Sequence, residues 1–170
     1  MDLLSLLIFL MPIYIANSSP VVLGGGYPLD FYKNFFDGRR IFGDGKTIRG
    51  FVAGVICGAL AGTLIADVYL LPFFADKKMQ IFGALALAFG TLVGDAIGSF
   101  IKRRLGIGNG KPFFLDTMMF VIVALLFVYP FVLPSIYQFE NLLFIFALTV
   151  ILHPLTNFIA NKLGLKNVPW

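Results

Sequence analysis

The sequence predicts an all-α integral membrane protein with about five transmembrane helices and two polar loops on the cytoplasmic side. Of its 170 residues, 59% are hydrophobic and only 13% are charged, whereas roughly a quarter of the residues of a soluble domain are charged. The apolar residues also come in long blocks, and a block of about 18 or more spans the ~30 Å hydrocarbon core of a bilayer. We therefore interpret residues 1–170 as a single transmembrane domain.

The apolar blocks predict helices over Leu3–Val22, Phe51–Phe74, Met79–Phe100, Phe113–Leu133 and Leu142–Ala160. We expect the first block to remain on the protein rather than to be cleaved as a signal peptide. Its leading charge is Asp2, and no clean small-residue cleavage site follows it. The polar run from Asn17 to Pro20 interrupts this block, so its helix is predicted to be broken or kinked.

The positive charges are divided unequally between the two ends of these helices. Of the 13 Lys and Arg residues, 11 lie in the loop after helix 1, the loop after helix 3 and the C-terminal tail, and the others are Lys77 and Lys78. Cytoplasmic loops carry the excess of Lys and Arg. We therefore predict a multi-pass cell-membrane protein with an external N-terminus and with its C-terminus and active site in the cytoplasm. The membrane location also accounts for the net charge of +4 without a nucleic-acid partner.

Two predicted helices carry glycine at four-residue spacing: Gly50, Gly54, Gly58 and Gly62 on helix 2, and Gly90, Gly94 and Gly98 on helix 3. This spacing puts each set on one helix face, where the missing side chains allow close backbone approach. We interpret both sets as packing surfaces, within or between protomers, and give them no catalytic role.

The polar residues that best indicate chemistry lie at the cytoplasmic end of helix 3. They are Asp95, Ser99, Lys102 and Arg103. Their spacing of four, seven and eight residues places them on one arc of the helix. Lys102, Arg103 and the adjacent Arg104 could simply anchor the helix end at lipid headgroups. An aspartate inside a membrane helix is costly, however, and usually pairs with another group or binds a ligand.

A second acid, Asp116, lies one turn into helix 4, which a short loop joins to helix 3. Asp95 and Asp116 are therefore expected at similar depth near one face. Two carboxylates without an adjacent buried cation indicate a divalent ion such as Mg²⁺, which takes one or two carboxylates plus phosphate oxygens. The alternative is that Asp116 only complements the positive end of the helix dipole.

Two glycine-rich loops that end in cations lie on the same side. One contains Gly43-Asp44-Gly45-Lys46-Thr47-Ile48-Arg49-Gly50, and the other Gly106-Ile107-Gly108-Asn109-Gly110-Lys111. Glycines let backbone amides turn towards an anion, and Lys and Arg bind phosphates. The first loop is not a Walker A motif, because Arg40 stands where that motif requires glycine. Together with the two carboxylates, these loops favour a phosphate-binding site.

A polar stripe of His153, Asn157 and Asn161 runs along helix 5. One histidine with two amides is more typical of a hydrogen-bond seam between helices than of a metal site, and both interpretations stay open.

The pattern Gly94-Asp95-(x3)-Ser99-(x2)-Lys102-Arg103, followed by Asp116, resembles the signature of the membrane CTP-dependent lipid cytidylyltransferases, the CDP-diglyceride synthetase group. The segment from Asp37 to Gly50 and the ending Val168-Pro169-Trp170 are similar to its archaeal branch, the CDP-archaeol synthases. The bacterial Pro-Gly-His-Gly-Gly stretch is replaced by Gly108-Asn109-Gly110-Lys111-Pro112.

The resemblance implies transfer of CMP from CTP to an isoprenoid dialkyl (unsaturated archaetidic) glycerol phosphate, with Mg²⁺, giving CDP-archaeol and pyrophosphate in membrane phospholipid biosynthesis. It implies that Asp95, Asp116 and Lys102 are catalytic, and that Asp95 and Asp116 hold the metal. The residues expected to bind CTP and the lipid phosphate are Gly43, Asp44, Gly45, Lys46, Thr47, Arg49, Ser99, Arg103 and Lys111.

Three other functions are weighed against this one. A transporter or channel could use Asp95 and Asp116 as an intramembrane ion site, but the helices show no evident inverted repeat and the polar groups cluster at one face. A membrane scaffold would leave both acids unexplained. A CDP-alcohol phosphotransferase would carry paired aspartates around an Asp-Gly dipeptide, and neither candidate helix has them.

Overall fold

The computed structural model describes residues 2–108, 111 and 113–166, so the predicted motif positions Asn109, Gly110, Pro112 and Val168–Trp170 lie outside the described residues. Its helices are α1 Leu3–Leu23, α2 Ile48–Val68, α3 Lys77–Arg104, α4 Phe114–Val128 and α5 Phe139–Lys162. Within the described ranges these five helices are long and apolar enough to cross a membrane, α4 together with the 3₁₀ turn Tyr129–Phe131 that follows it. The predicted all-α membrane fold is confirmed.

Two helices end earlier than predicted, and proline accounts for both. The second helix was predicted to reach Phe74 but ends at Val68, because Pro72 disfavours the helical conformation of the residue before it. The buried Gln80 side chain then satisfies the freed backbone: it accepts from the Leu71 amide at 2.8 Å and donates to the Tyr69 carbonyl at 3.0 Å. The fourth helix was predicted to reach Leu133, but Pro130 converts its end into the 3₁₀ turn.

The first helix was predicted to be broken or kinked, and a break is wrong, because α1 runs continuously from Leu3 to Leu23. The two serines that interrupt the apolar block bond within the helix. The Ser18 hydroxyl donates to the Tyr14 carbonyl at 2.7 Å, and that of Ser19 to the Ile15 carbonyl at 2.6 Å. Their polarity is therefore satisfied locally and costs the helix little.

The third helix is longer than predicted and begins two residues before Met79, at Lys77. Asp76 caps it by accepting a hydrogen bond from the Met79 amide at 2.8 Å. At its other end α3 continues to Arg104, so Lys102 and Arg103 belong to the last helical turn and not to the loop.

The glycines of α2 and α3 pack the helices within this protomer. A Cβ atom on Gly62 would lie 2.3 Å from the Cβ of Ala84 on α3, and one on Gly58 would lie 2.7 Å from the Pro12 carbonyl oxygen on α1. A Cβ on Gly94 would lie 2.4 Å from the Met119 carbonyl oxygen on α4. The packing interpretation is confirmed: α1 to α4 form a tight group because glycine lets their backbones touch.

The last helix packs less closely than the others. Among the described residues of α5 only Asn141, Ile145 and Thr149 are buried, and all three lie in its first half. The C-terminal half of α5 lies at the end of the bundle where α1 and α3 also end and where α2 and α4 begin. We call this end of the bundle the polar end.

Candidate active site

A cavity of about 290 Å³ opens at the polar end, and residues from all five helices and both basic loops line it. We call it the polar cavity. Nine predicted site residues line it: Gly45, Lys46, Thr47, Asp95, Ser99, Lys102, Arg103, Lys111 and Asp116. The structure thus brings the helix 3 stripe, the acid of helix 4 and both cationic loops to one place.

Three predicted site residues lie outside the polar cavity. Gly43 and Asp44 line a neighbouring groove together with Arg103. Arg49 is exposed on the first turn of α2 and lines neither the cavity nor the groove. The roles predicted for these three would need contacts beyond the polar cavity.

Each of the two membrane aspartates is paired with a lysine across the cavity wall. Lys46 Nζ lies 2.5 Å from Asp95 Oδ2, and Lys102 Nζ lies 2.5 Å from Asp116 Oδ2. Lys102 also donates to the Lys111 carbonyl at 2.5 Å and is itself buried, 7% exposed. The expectation of two carboxylates without an adjacent cation is therefore wrong. Lys46 belongs to the loop before α2 and reaches Asp95 on α3. Lys102 reaches from α3 to Asp116 on α4.

The α5 wall of the polar cavity carries polar residues that the sequence did not place in the site. Asn157 donates from Nδ2 to His153 at 3.0 Å, and the Asn17 amide of α1 lies 3.5 Å from the other ring nitrogen. Lys166 Nζ donates to Asn157 Oδ1 at 2.9 Å. All four residues line the cavity. The predicted hydrogen-bond seam is confirmed for His153 and Asn157, which face the candidate active site. Asn161, the third member of the predicted stripe, instead donates to the Lys166 carbonyl at 2.8 Å.

The turn after α5 explains why Lys166 reaches the cavity. Gly164 adopts the left-handed conformation, with φ 71°. The Leu165 amide bonds to the Ala160 carbonyl at 2.9 Å and the Gly164 amide to the Asn161 carbonyl at 3.0 Å, which is a Schellman ending. The chain therefore folds back over the end of α5. Glycine two residues after Lys162 was the available signal for this turn. Burial lowers the pKa of the Lys166 ammonium, and the nearby charge of Lys46 also lowers it.

The loop between α1 and α2 is organised around Asp30, a buried carboxylate that no sequence motif indicated. Arg40 donates to both oxygens of Asp30, at 2.6 and 3.2 Å. The amides of Phe42 and Gly43 each donate to Oδ2 at 2.9 Å. Burial raises the pKa of the Asp30 carboxyl, but these hydrogen bonds outweigh it and lower the pKa to about 2. This network fixes the chain just before Gly45 and Lys46.

Two further contacts hold this loop against the end of α3. Arg39 donates to the Arg104 carbonyl at 2.7 Å, and Arg104 pairs with Asp37 at 2.8 Å. The cations at the end of α3 therefore contact protein groups, which disfavours the alternative that they serve only as headgroup anchors.

We expect Asp30→Asn to loosen the loop at neutral pH. The folded pKa of about 2 lies below the ordinary 3.8, so the ionised carboxylate stabilises the fold above about pH 4, and this contribution, about 2 kcal/mol, is lost as the pH falls towards 2. Trypsin should cleave the variant faster after Arg39 and Arg40 at pH 7. Asp44→Asn is the matched control, because Asp44 pairs with the same arginine but its side chain is 68% exposed. Equal cleavage of both variants would contradict the role of Asp30.

Comparison of the whole chain with known proteins agrees with the resemblance carried by the sequence motifs. A family model described as CarS-like CDP-archaeol synthase matches residues 1–170. The CDP-archaeol synthase of Pyrococcus abyssi is 47% identical over 95% of both chains. That of Methanocaldococcus jannaschii is 45% identical over 95% of this chain and 94% of its own.

The chain belongs to the CDP-archaeol synthase family. A solved structure of an intramembrane enzyme for archaeal membrane lipid biosynthesis matches with a TM-score of 0.78 at 36% identity, covering 92% of this chain and 94% of that one. The family resemblance and the all-α membrane fold are both confirmed.

In this CDP-archaeol synthase family chain, Asp95 and Asp116 are the residues that could hold a magnesium ion, with phosphate oxygens of a substrate as further ligands. Each carboxylate uses Oδ2 for its lysine, and their side chains are 24% and 31% exposed to the cavity. Within the described ranges, no group of three or more His, Cys, Asp or Glu side chains converges. Two carboxylates suit Mg²⁺, which keeps its other positions for water and phosphate oxygens.

Proposed function

We propose that this chain transfers CMP from CTP to the phosphate of an isoprenoid dialkylglycerol phosphate in the polar cavity. It is a CTP-dependent cytidylyltransferase that forms CDP-archaeol. The observation that carries the site assignment is that two membrane aspartates, each paired with a lysine, share one cavity with Ser99 and Arg103.

The reaction needs no general base, because its nucleophile is already an anion. An oxygen of the lipid phosphate attacks the α-phosphorus of CTP. A new phosphorus–oxygen bond forms, the bond between the α-phosphorus and the bridging oxygen to the β-phosphate breaks, and pyrophosphate leaves with that electron pair. The protein must bring two anions together and hold them in line, so positioning and charge neutralisation supply the catalysis.

The cations that line the polar cavity outnumber its two aspartates: Lys46, Lys102, Arg103, Lys111 and Lys166. Lys46 and Lys102 are the two that hold the aspartates. We infer that, when a triphosphate binds, the ammonium groups of Lys46 and Lys102 leave the two carboxylates and pair with phosphate oxygens. This change of partner neutralises charge on the triphosphate. It also leaves both carboxylates available to a divalent cation.

Asp95 and Asp116 are the residues that would hold Mg²⁺. When bound, the ion would neutralise charge that develops on the triphosphate. The neutral amides of Asn17 and Asn157 and the Ser99 hydroxyl line the same cavity and are suited to orienting the nucleotide.

The orientation in the membrane follows from where CTP is found. The polar cavity opens at the polar end, which also carries the excess of Lys and Arg. A cytoplasmic polar end agrees with the positive-inside bias and with a nucleotide substrate from the cytoplasm. We therefore infer an external N-terminus and a cytoplasmic C-terminus.

The test is product formation by purified protein in sealed vesicles. We expect CTP and a dialkylglycerol phosphate to give CDP-lipid, with one pyrophosphate released for each CDP-lipid formed. This reaction should require Mg²⁺. An unphosphorylated diether glycerol should give no CDP-lipid. Inside-out vesicles should use added CTP directly, whereas right-side-out vesicles should need permeabilisation. No CDP-lipid from any phosphorylated glycerolipid, together with ion flux that depends on Asp95, would favour a transporter instead.

A further inference from the structure

The loop between α1 and α2 contains a short hairpin, residues 34–40, whose tip carries two phenylalanines. Its end residues, Asn34 and Arg40, form an antiparallel bridge. At the tip, the Gly38 amide donates to the Phe35 carbonyl at 2.9 Å. Gly38 adopts φ 75°, a conformation that favours glycine. The backbone of this segment is therefore fixed, and we call it the aromatic hairpin.

Both phenylalanines at the tip are presented outward. Phe36 is 98% exposed and Phe35 is 39% exposed, and their ring centroids lie 5.0 Å apart. The hairpin is held in this position because Arg39 donates to the Arg104 carbonyl and Arg104 pairs with Asp37. A single exposed apolar side chain needs no explanation. Two adjacent phenylalanines on a fixed turn indicate a surface that contacts another apolar medium.

The turn that leads into the aromatic hairpin is strained and presents two more aromatic residues. Phe31 and Tyr32 have φ of 48° and 63°, a left-handed conformation that bulky residues rarely adopt, yet each is 61% exposed. The Tyr32 amide donates to the Asp30 carboxylate at 3.1 Å, which helps to hold this conformation. Burial within the chain therefore does not offset the strain. Backbone strain that the surrounding structure maintains is typical of functional segments.

The aromatic hairpin lies at the end of a lipid-facing stripe on α3. Phe82 and Phe89 are 44% and 40% exposed on this membrane-spanning helix, and Phe100 lies on the same face, about three turns after Phe89. The Phe35 ring packs edge-on against the Phe100 ring, with centroids 5.2 Å apart. The aromatic hairpin therefore continues the surface that faces hydrocarbon chains to the point where α3 ends.

Cations surround the aromatic hairpin at the same level. The Arg104 guanidinium lies over the rings of Phe35 and Phe100, 4.9 Å from each centroid, and Lys33 and Arg39 are exposed. Aromatic rings flanked by Lys and Arg suit the boundary between lipid headgroups and hydrocarbon chains, where the rings enter the apolar layer and the cations lie among phosphates. A protein partner would account for the exposed rings but not for their continuity with the α3 stripe.

We propose that the aromatic hairpin is a membrane anchor at the polar end of the bundle. Phe35 and Phe36 insert at the boundary between headgroups and hydrocarbon chains, and Lys33 and Arg39 lie beside lipid phosphates. The partner of this surface is the lipid bilayer itself. The anchor contacts neither substrate, so it goes beyond the proposed function and does not depend on it.

The anchor also holds the loop that carries Lys46. Arg40 closes the aromatic hairpin and binds both carboxylate oxygens of Asp30. Asp30 in turn accepts from the amides of Phe42 and Gly43. Opening this loop therefore requires that the phenylalanines leave the lipid. In this way the membrane surface stabilises the segment that precedes Lys46 in the polar cavity.

Spin labelling measures the depth of the aromatic hairpin directly. Cys57 is the chain's one cysteine, so a Cys57→Ala background accepts a single nitroxide at Phe36→Cys. In nanodiscs of phosphatidylcholine and phosphatidylglycerol, we expect this label to collide with oxygen, which concentrates in hydrocarbon, far more than with a water-soluble nickel chelate. Leu60→Cys is the lipid reference, because Leu60 is 57% exposed in α2. Asp44→Cys is the aqueous reference, because the Asp44 side chain lies in the same loop and is 68% exposed.

Two other results of the spin-label experiment would overturn the anchor. A ratio of oxygen to nickel collisions equal to that at Asp44→Cys would place the aromatic hairpin in water. Low collision with both reagents would place it against protein, such as a second copy of this chain.

Trypsin tests the anchor without a label, again in nanodiscs, which leave both membrane faces accessible. We expect Phe36→Asp to be cleaved after Arg39 and Arg40 roughly tenfold faster than wild type, equivalent to about 1.4 kcal/mol. In wild type a phenylalanine must leave the lipid before this segment can enter the protease. Phe36→Trp keeps an aromatic ring suited to the membrane interface and should be cleaved at the wild-type rate. Equal cleavage of Phe36→Asp and wild type, or fast cleavage of Phe36→Trp, would contradict the anchor.

Discussion

Replacing Asp95 or Asp116 by asparagine is expected to lower turnover by ~10³ or more, equivalent to about 4 kcal/mol of transition-state stabilisation. The amide preserves the side-chain volume, and its oxygen can still accept the hydrogen bond from Lys46 or Lys102. The protein should therefore stay folded in the membrane. What the substitution removes is a hard anionic ligand of the kind that Mg²⁺ requires.

The measurement is CDP-lipid formation at saturating CTP and lipid phosphate, with the melting temperature in detergent recorded for each variant. Asp67→Asn is the control. Asp67 pairs with Lys77 at 2.7 Å at the opposite end of the bundle, and both side chains are about half exposed. This control should keep full activity. Turnover within a few-fold of wild type in both site variants would remove the metal site from the mechanism.

The helices were predictable because each depends on its own stretch of sequence. Apolar blocks of membrane-spanning length locate α1 to α5, and the four-residue glycine spacing identifies the faces that touch. The ends were harder to predict. Pro72 is a sequence signal for the end of α2, but the Gln80 side chain, which bonds to Leu71 and Tyr69 and satisfies the freed backbone, makes these contacts only after α3 packs against that turn.

The candidate site was predictable where helical periodicity applies and not elsewhere. The period of α3 placed Asp95, Ser99 and Lys102 on one face, and the short loop brought Asp116 beside them. The Lys46–Asp95 pair joins positions 49 residues apart. Lys166 reaches the polar cavity through the turn at Gly164, and Asp30 organises the loop between α1 and α2 from within it. Neither residue lies in a helix, so no helical periodicity could indicate its place.

Gly94→Ala is expected to destabilise the fold and the site together. Gly94 adjoins Asp95 and lies where α3 meets α4, which carries Asp116. The added methyl group would lie 2.4 Å from the Met119 carbonyl oxygen and 2.8 Å from the Phe120 Cα. Both are backbone atoms, so the helices themselves must separate. Overpacking of this kind costs roughly 3 kcal/mol. We expect a lower melting temperature in detergent and a loss of turnover, because the two aspartates move apart.

Gly98→Ala is the matched control for this substitution, one turn further along the same face of α3. Its methyl group would meet the Met119 Cβ at 3.6 Å, which is ordinary van der Waals contact, so its melting temperature should stay close to that of wild type. Asp95→Asn should lose turnover and keep its melting temperature, whereas Gly94→Ala should lose both. If the melting temperature of Gly94→Ala equals that of wild type, close contact at Gly94 does not hold α3 against α4. Another interaction must then set the separation of the two carboxylates.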